Sequence, residues 1–338
     1  MNAHPKLWKE KSGTPKDSSF ERWQLRSGNT KVVTLALIAI LAVALTTIIY
    51  FTCFQPSSNA TFSVVWITDT QNIVSGYSAE FDSMCSWIAK NSASLNLKAV
   101  IHTGDIVNVF DNADQWENAN HSMGILLDSN IPYCWTAGNH DKTDATWYGS
   151  NCTTFDVGVV RQKEYWLSDY HEGTNTDIVF GFRNQTFLIL DIEYLADTEV
   201  LQWANNMLDL YPSSLAIIGT HSYLSPSCNY DQWGIDFRTN VLDPHENVIL
   251  TLNGHENSLG NRTKWGNRNE LMFCREDEDL GKGGATVRIL TFDLTERTIE
   301  VTTYLPYENK FIDDSRSQFK LSNAIPDLSP VLPPSLSP

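Results

Sequence analysis

Tyr133-Cys134-Trp135-Thr136-Ala137-Gly138-Asn139-His140-Asp141 is an apolar strand that runs into a glycine turn and then presents an amide, an imidazole and a carboxylate in succession. A buried strand holds such groups rigidly, and a turn at its carboxyl end leaves them facing substrate, where open α/β sheets place their ligands. Working outward, the same order of strand, Gly or Thr, then ligand-type side chain recurs at four places. Residues 62–68 lead into Asp69-Thr70-Gln71, and 98–103 into Gly104-Asp105. Residues 214–220 end in His221, and 247–253 in Gly254-His255-Glu256-Asn257. Helical periodicity near 77–93, with Phe81, Met84, Cys85 and Ile88 on one face, and around Trp116, Ala119, Met123, Leu126 and Leu127 separates the first three strands. That is βαβαβ, hence a parallel sheet whose strand ends share one edge. A single Asp after a strand is ordinarily a turn former or helix cap. Several in register point to a site.

Composition bounds the class. With 338 residues and 42% hydrophobic content the chain can bury a proper core, so it is not a disordered protein. The net charge of -16 is uneven, because residues 1–31 hold seven Lys/Arg against three Asp/Glu. The acidic remainder offers no basic stripe, which argues against nucleic acid as the main partner. Residues 32–54 carry no charge; at about 1.5 Å per residue that stretch covers about 34 Å, enough to cross a hydrocarbon core of about 30 Å. It exceeds the usual apolar run of a cleaved signal peptide, about 7–15 residues. The expectation is a cytoplasmic tail at 1–31, an uncleaved single-pass anchor at 32–54, a linker at 55–61 and a luminal or extracellular domain at 62–321, with the membrane as one partner. Five glycosylation acceptors, Asn59, Asn120, Asn151, Asn184 and Asn261, all follow the anchor. A Pro/Ser-rich tail at 322–338 reads as disordered. Cys85 and Cys134 read as core thiols, and a bridge between Cys228 and Cys274 is expected.

The blocks Asp69-Thr70-Gln71, Gly104-Asp105, Gly138-Asn139-His140-Asp141, His221 and Gly254-His255-Glu256-Asn257 resemble, in the same order, those of the calcineurin-like metallophosphoesterases, the family of calcineurin and the purple acid phosphatases. The resemblance spans about residues 62–305. It implies an α/β fold of two packed mixed β-sheets flanked by helices, a four-layer sandwich, with the segments 269–274, 284–294 and 298–304 completing the second sheet. It also implies two divalent metal ions that act on a phosphorylated small-molecule substrate. Two cations about 3.5–4 Å apart neutralise an anionic ester and make hydroxide available near neutral pH. Carried over block by block, one ion is held by Asp105, Asn139, His221 and His255, and the other by Asp69, Gln71, Asp105 and Asn257. His140 assists the leaving group, and Asp141 orients His140.

The sequence departs from the family pattern at Gln71 and Asn257, where histidines are usual. Amide oxygens are harder and weaker donors than imidazoles, so the second site is expected to be the looser one, and the metal stays open among manganese, iron, zinc, magnesium and calcium. The same departures leave a competing reading open, a catalytically silent binding or adhesive module on this fold. His102 reads as a satisfied core residue. No Gly-x-Ser-x-Gly elbow and no phosphate-cradling Gly-x-x-x-x-Gly-Lys loop occurs, which counts against serine hydrolases and nucleoside-triphosphate motors.

Overall fold

A computed structural model of the chain describes residues 60–142, 165–166 and 175–327. The expected tail 1–31, the span 32–54 and the first part of the linker lie outside the described residues. Among the described residues no helix is long and apolar enough to cross a membrane.

Strand β1 (Thr61–Ile67) sets the layering. Side chains alternate across a strand, so Phe62, Val64 and Trp66 enter one core while Val65 and Ile67 enter another. Covered on both faces, β1 is apolar at every position but Thr61 and Ser63 rather than strictly alternating. Strands β2 (Leu97–His102) and β3 (Tyr133–Trp135) follow in parallel. Helices α1 (Gln71–Gly76), α2 (Ser78–Asn91) and α3 (Ala113–Asp128) pack on the outer face of this sheet. Helix α2 does so through Phe81, Met84, Cys85 and Ile88, the i, i+3, i+4, i+7 stripe of an amphipathic helix. Helix α3 starts where the Asn112 side chain accepts hydrogen bonds from the amides of Asp114 and Gln115.

The second sheet runs β4 (Tyr165–Trp166), β5 (Thr176–Phe182), β6 (Gln185–Ile192), β7 (Leu215–Thr220), β8 (Val248–Asn253), β10 (Arg268–Cys274) and β9 (Ser258–Trp265) from edge to edge. Strands β6, β7, β8 and β10 are mutually parallel. Helices α4 (Thr198–Leu210) and α5 (Gln232–Phe237) cover its outer face. Between the sheets lies a core in which Phe62, Trp66 and Ile101 of one sheet meet Phe187, Ile189 and Phe273 of the other. The result is two mixed β-sheets flanked by helices.

Two expectations are corrected. Only segment 269–274 joins the second sheet. The segments at 284–294 and 298–304 form β11 (Val287–Asp293) and β12 (Thr298–Leu305), which extend the first sheet from β1, followed by β13 (Lys310–Ile312) and β14 (Phe319–Leu321). The reason is the far edge of β1. Strand β11 pairs antiparallel with it, Phe62 sits opposite Phe292, and the two rings stack at 4.8 Å, a contact worth about 1 kcal/mol beyond the area it buries. The packed domain also continues past residue 321. Ala324 and Ile325 are buried in the inter-sheet core, and the Ala324 amide donates to the carbonyl of Arg297.

His102, at the end of β2, is fully buried. Its Nδ1 accepts from the Gly104 amide and its Nε2 lies 2.9 Å from Thr70 Oγ1, whose own hydrogen goes to the Ile106 carbonyl. Both ring nitrogens are thus satisfied by a neutral ring. Burial, with repulsion from His221, pushes its pKa from 6.5 down to about 3. The unfolded chain therefore binds one proton more than the folded chain between those values. The stabilising contribution of neutral His102 is present above pH 6.5 and is lost as pH falls toward 3. Chemical denaturation of wild type and His102→Asn at pH 6 and pH 5 should show the wild type losing about 1.4 kcal/mol more per pH unit. Equal slopes would mean that the folded state accommodates the imidazolium.

Candidate metal centre

Asp69, Asp105 and Asn139 follow the carboxyl ends of β1, β2 and β3, and His221 and His255 follow β7 and β8. The loops that carry them are tied to one another. The Asp69 amide donates to the Gly104 carbonyl at 3.0 Å, and the Gln71 amide to the Asp105 carbonyl at 3.1 Å. Asp105 Oδ1 accepts from the His140 amide at 2.8 Å, and Asp69 Oδ1 from the His255 amide at 3.1 Å. A chain of donors, Trp66 Nε1 to Thr103 Oγ1 to Thr68 Oγ1 to Asp69 Oδ2, fixes the other Asp69 oxygen. These contacts explain two glycines. A Cβ on Gly138 would stand 2.1 Å from Asp105 Oδ1, and one on Gly254 2.1 Å from Asp69 Oδ2. Asp69, Asp105 and His255 all adopt left-handed backbone, with φ of 51°, 52° and 77°. Such conformations are uncommon for residues with a Cβ and collect at functional sites, where surrounding contacts hold them.

Around His221 four donor atoms converge. The ring is fully buried, and its Nδ1 hydrogen goes to the Thr103 carbonyl at 2.9 Å. That leaves Nε2 facing Asn139 Oδ1 at 3.0 Å, Asp105 Oδ2 at 3.2 Å and His255 Nδ1 at 3.2 Å. An oxygen of an amide, an oxygen of a carboxylate and two imidazole nitrogens then point at one spot. Either a proton or a cation must sit among them. Burial alone would lower the pKa of His221, but the charge and hydrogen bond of Asp105, with Asp69 beyond, outweigh it and hold the ring at about 9. His255 goes the other way, to about 4, through burial and then repulsion from His221. A divalent cation in place of that proton would leave both rings neutral, as ligands must be. Asp105, His221 and His255 each offer a ligand atom within 4.8 Å of the others, and this donor set fits a metal ion.

On the far side of Asp105 the side chains are mostly oxygen donors. Gln71 is 2% exposed; its Nε2 lies 3.4 Å from Asp105 Oδ2 and donates to Glu276 Oε2, while its Oε1 is buried with no hydrogen-bond partner among the described residues. Asp69, Cys274 and Glu276 offer ligand atoms within 4.8 Å of one another. Burial, with repulsion from Asp105, raises Asp69 to about 6. Burial, then Asp69 and Asp105, raises Glu276 to about 7. A second cation would relieve this crowding of carboxylates. Asn257 stands at the rim, exposed, with its amide nitrogen 2.5 Å from Asp277 Oδ2. The expected disulfide is absent. Cys228 and Cys274 are free thiols because they address different partners, the Arg262 carbonyl and Asn257 Oδ1 respectively.

His140 borders the cluster, with Nδ1 at 2.9 Å from the Asn108 carbonyl. Its pKa is raised; partial burial opposes this, and the Asn108 hydrogen bond with the charges of Asp105, Glu276 and Asp141 prevails. The part expected of Asp141 falls to Asn108. The Asp141 carboxylate is wholly buried and accepts instead from the amides of Ile106, Val107 and Gly138. Three residues at the site lie beyond the sequence reading. Glu276 ends the strand-then-carboxylate pattern of β10, a signal present in Cys274-Arg275-Glu276-Asp277. The Tyr194 ring lies 5.3 Å from that of His255 and 5.7 Å from that of His221, and Lys142 pairs with Glu193 beside it at 3.6 Å.

A family model described as calcineurin-like phosphoesterase matches residues 62–278, which include every residue placed in the centre. The chain is 30% identical over 292 residues to the uncharacterized protein YvnB of Bacillus subtilis (strain 168), covering 79% of this chain and 22% of that protein. It therefore spans about a fifth of that relative's length. Among solved structures it is similar to purple acid phosphatase PPD1 from yellow lupin seeds, with a TM-score of 0.52 and 13% identity over 78% of this chain and 54% of the other. GAP50, the anchor in the inner membrane complex of Plasmodium, gives a TM-score of 0.51 and 10% identity over 82% of this chain and 99% of the other. At these identities both likenesses concern the fold alone.

Proposed function

Since the chain belongs to the calcineurin-like phosphoesterase family, we propose that its described domain hydrolyses phosphate esters of small molecules with two divalent cations at the strand ends. One cation site is Asp105, Asn139, His221 and His255. The other is Asp69, Gln71 and Asp105, with Asn257 at its rim. The observation that carries the reading is the convergence of Nε2 of His221, Nδ1 of His255, Oδ1 of Asn139 and Oδ2 of Asp105 on one spot, where either a proton on His221 or a cation must sit. Bound cations neutralise the ester's charge and supply hydroxide near neutral pH.

The remaining work falls to the protein's own groups. The Asn108 carbonyl holds Nδ1–H of His140, so the ring presents Nε2 outward. Against the opposing effect of burial, the Asn108 hydrogen bond and nearby carboxylates raise its pKa above the ordinary 6.5, which increases the share of protonated ring at a given pH. When water adds to phosphorus and the ester P–O bond breaks, His140 gives its Nε2 proton to the departing alkoxide, leaving an alcohol and phosphate. Asp105 and Asp69 hold the loops of β3 and β8 to those of β2 and β1 through the His140 and His255 amides, so the pocket is formed before substrate arrives. The charge-free run at 32–54 and the five glycosylation acceptors beyond it support placing this domain on the luminal or extracellular side of a single-pass membrane protein.

The test is hydrolysis of p-nitrophenyl phosphate and bis(p-nitrophenyl) phosphate by the purified full chain with added Mn²⁺. Turnover that disappears in Asp105→Asn and His221→Ala is the expected result, and background rates from all three proteins would leave the binding module standing. That second reading draws on Gln71 and Asn257, which replace imidazoles. The same replacements should make the two ions unequal: after dialysis, metal analysis should count about one ion per chain, with the second restored by added Mn²⁺. Two equally retained ions would contradict the assignment.

A further inference from the structure

Glu276 lies two residues beyond β10, and β10 runs parallel to β8. The sheet therefore delivers its carboxylate to the same edge as His255. Its Oε2 accepts from Nε2 of Gln71, whose Nε2 also sits 3.4 Å from Asp105 Oδ2. An amide nitrogen held between two carboxylates leaves its oxygen on the other side, and Gln71 Oε1 is buried there without a hydrogen-bond partner among the described residues. Such a group is costly to bury unless something pairs with it. A half-turn of the amide, which exchanges its O and N, turns Oε1 toward Asp105 and Glu276, and a cation held there with Asp69, which offers a ligand atom within 4.8 Å of one of Glu276, would satisfy these oxygens together.

We propose that Glu276 is a ligand of the second divalent cation, supplying the donor that the family pattern's missing histidines would have supplied and turning the site into an oxygen cage of Asp69, Gln71, Asp105 and Glu276. This rests on the two-cation reading above. The exchange alters selectivity. A third carboxylate adds a full negative charge where an imidazole would be neutral, and hard oxygen donors suit Mn²⁺ or Mg²⁺ over Zn²⁺. Cys274 Sγ also lies within 4.8 Å of ligand atoms of Asp69 and Glu276, but it is turned to Asn257 Oδ1 at 3.9 Å and is a soft donor, so the cage is assigned without it.

The full chain, stripped with a chelator and titrated with Mn²⁺ under electron paramagnetic resonance of the free ion, reads each site separately. Wild type should bind two ions of unequal affinity. Glu276→Gln should weaken the looser one by at least about tenfold, as losing a ligand must do no less than losing a supporting partner, while the tighter one moves less than about twofold and the metal-free melting temperature is unchanged. Cys274→Ala should leave both affinities in place. Glu276→His, which brings back an imidazole, should raise the preference for Zn²⁺ over Mn²⁺ at the looser site. Wild-type affinities in Glu276→Gln with unaltered Zn²⁺ preference in Glu276→His would overturn the assignment of Glu276 and leave the two-cation reading intact. Failure of the wild type to take up any Mn²⁺ would overturn both.

Discussion

Replacing His140 with alanine will slow hydrolysis of an alkyl phosphate ester by about 10²–10⁴-fold, with cation content and melting temperature unchanged. The separation follows from the geometry. His140 contributes its main-chain amide to Asp105 Oδ1, which alanine keeps, and its ring to the Asn108 carbonyl, which is a half-exposed contact that stabilises little. What alanine removes is the Nε2 proton. The defect should therefore grow with the basicity of the leaving group. An alkoxide must be protonated as it departs, whereas p-nitrophenolate leaves readily without help, so p-nitrophenyl phosphate should lose much less. The pH profile gives a second readout. His140 is held above its ordinary value of 6.5 by Asn108 and the nearby carboxylates against the opposing effect of burial. A general acid acts only while protonated, so the wild-type rate on the alkyl ester should fall as pH rises through that raised pKa, and the alanine variant should lack that limb. Equal slowing on both esters with the limb retained would assign His140 to holding substrate rather than to proton donation.

The layers and the strand-end edge were legible because both depend on the sequence locally. A run such as Phe62 to Thr68, apolar on both faces, can only be a strand covered on both sides, and an Asp or His directly after it must come to the sheet's carboxyl edge. Which strands become neighbours is a different matter. The β-branched residues of 284–294 announce a strand but not its partner; it is the stacking of Phe292 on Phe62 that draws β11 to β1. Ala324 and Ile325 show the same limit, since two apolar residues in a Pro/Ser-rich stretch reach the core only because Arg297 offers its carbonyl there.

Within the centre, the blocks at 69, 105, 139, 221 and 255 could be named because each side chain carries its chemistry in its identity. The group that orients His140 could not, because it is a main-chain carbonyl at Asn108, and every residue has one. Glu276 carried a readable signal, a carboxylate just after a strand, but it falls beyond the last block that the family pattern marks. Its place beside Gln71 depends on β10 running parallel to β8, a pairing across the β9 hairpin that spacing alone does not reveal.

Asp141 should prove to be the residue on which the loops' stability depends, and here the expected loss is in folding rather than in chemistry. Its buried carboxylate accepts from the amides of Ile106 at 2.9 Å, Val107 at 2.9 Å and Gly138 at 2.8 Å. Burial, and then repulsion from Asp105, pushes its pKa up to about 7, against the pull of those three amides. Asp141→Ala strands three interior N–H groups at about 1–3 kcal/mol each; water entering the space would recover part of that, so a loss of roughly 4 kcal/mol, or about 10 °C in Tm for a domain of this size, is the expectation. Asp141→Asn keeps one acceptor oxygen but turns an amide hydrogen toward a donor, and should fall between the two. Because Val107 and Gly138 adjoin the loops that carry Asp105 and Asn139, cation retention should fall in step with stability, and excess Mn²⁺ should restore part of both. Were Asp141→Ala instead to melt at the wild-type temperature while the alkaline limb of the rate profile moved, its carboxylate would be acting on His140 after all, and the backbone contacts seen around it would be incidental.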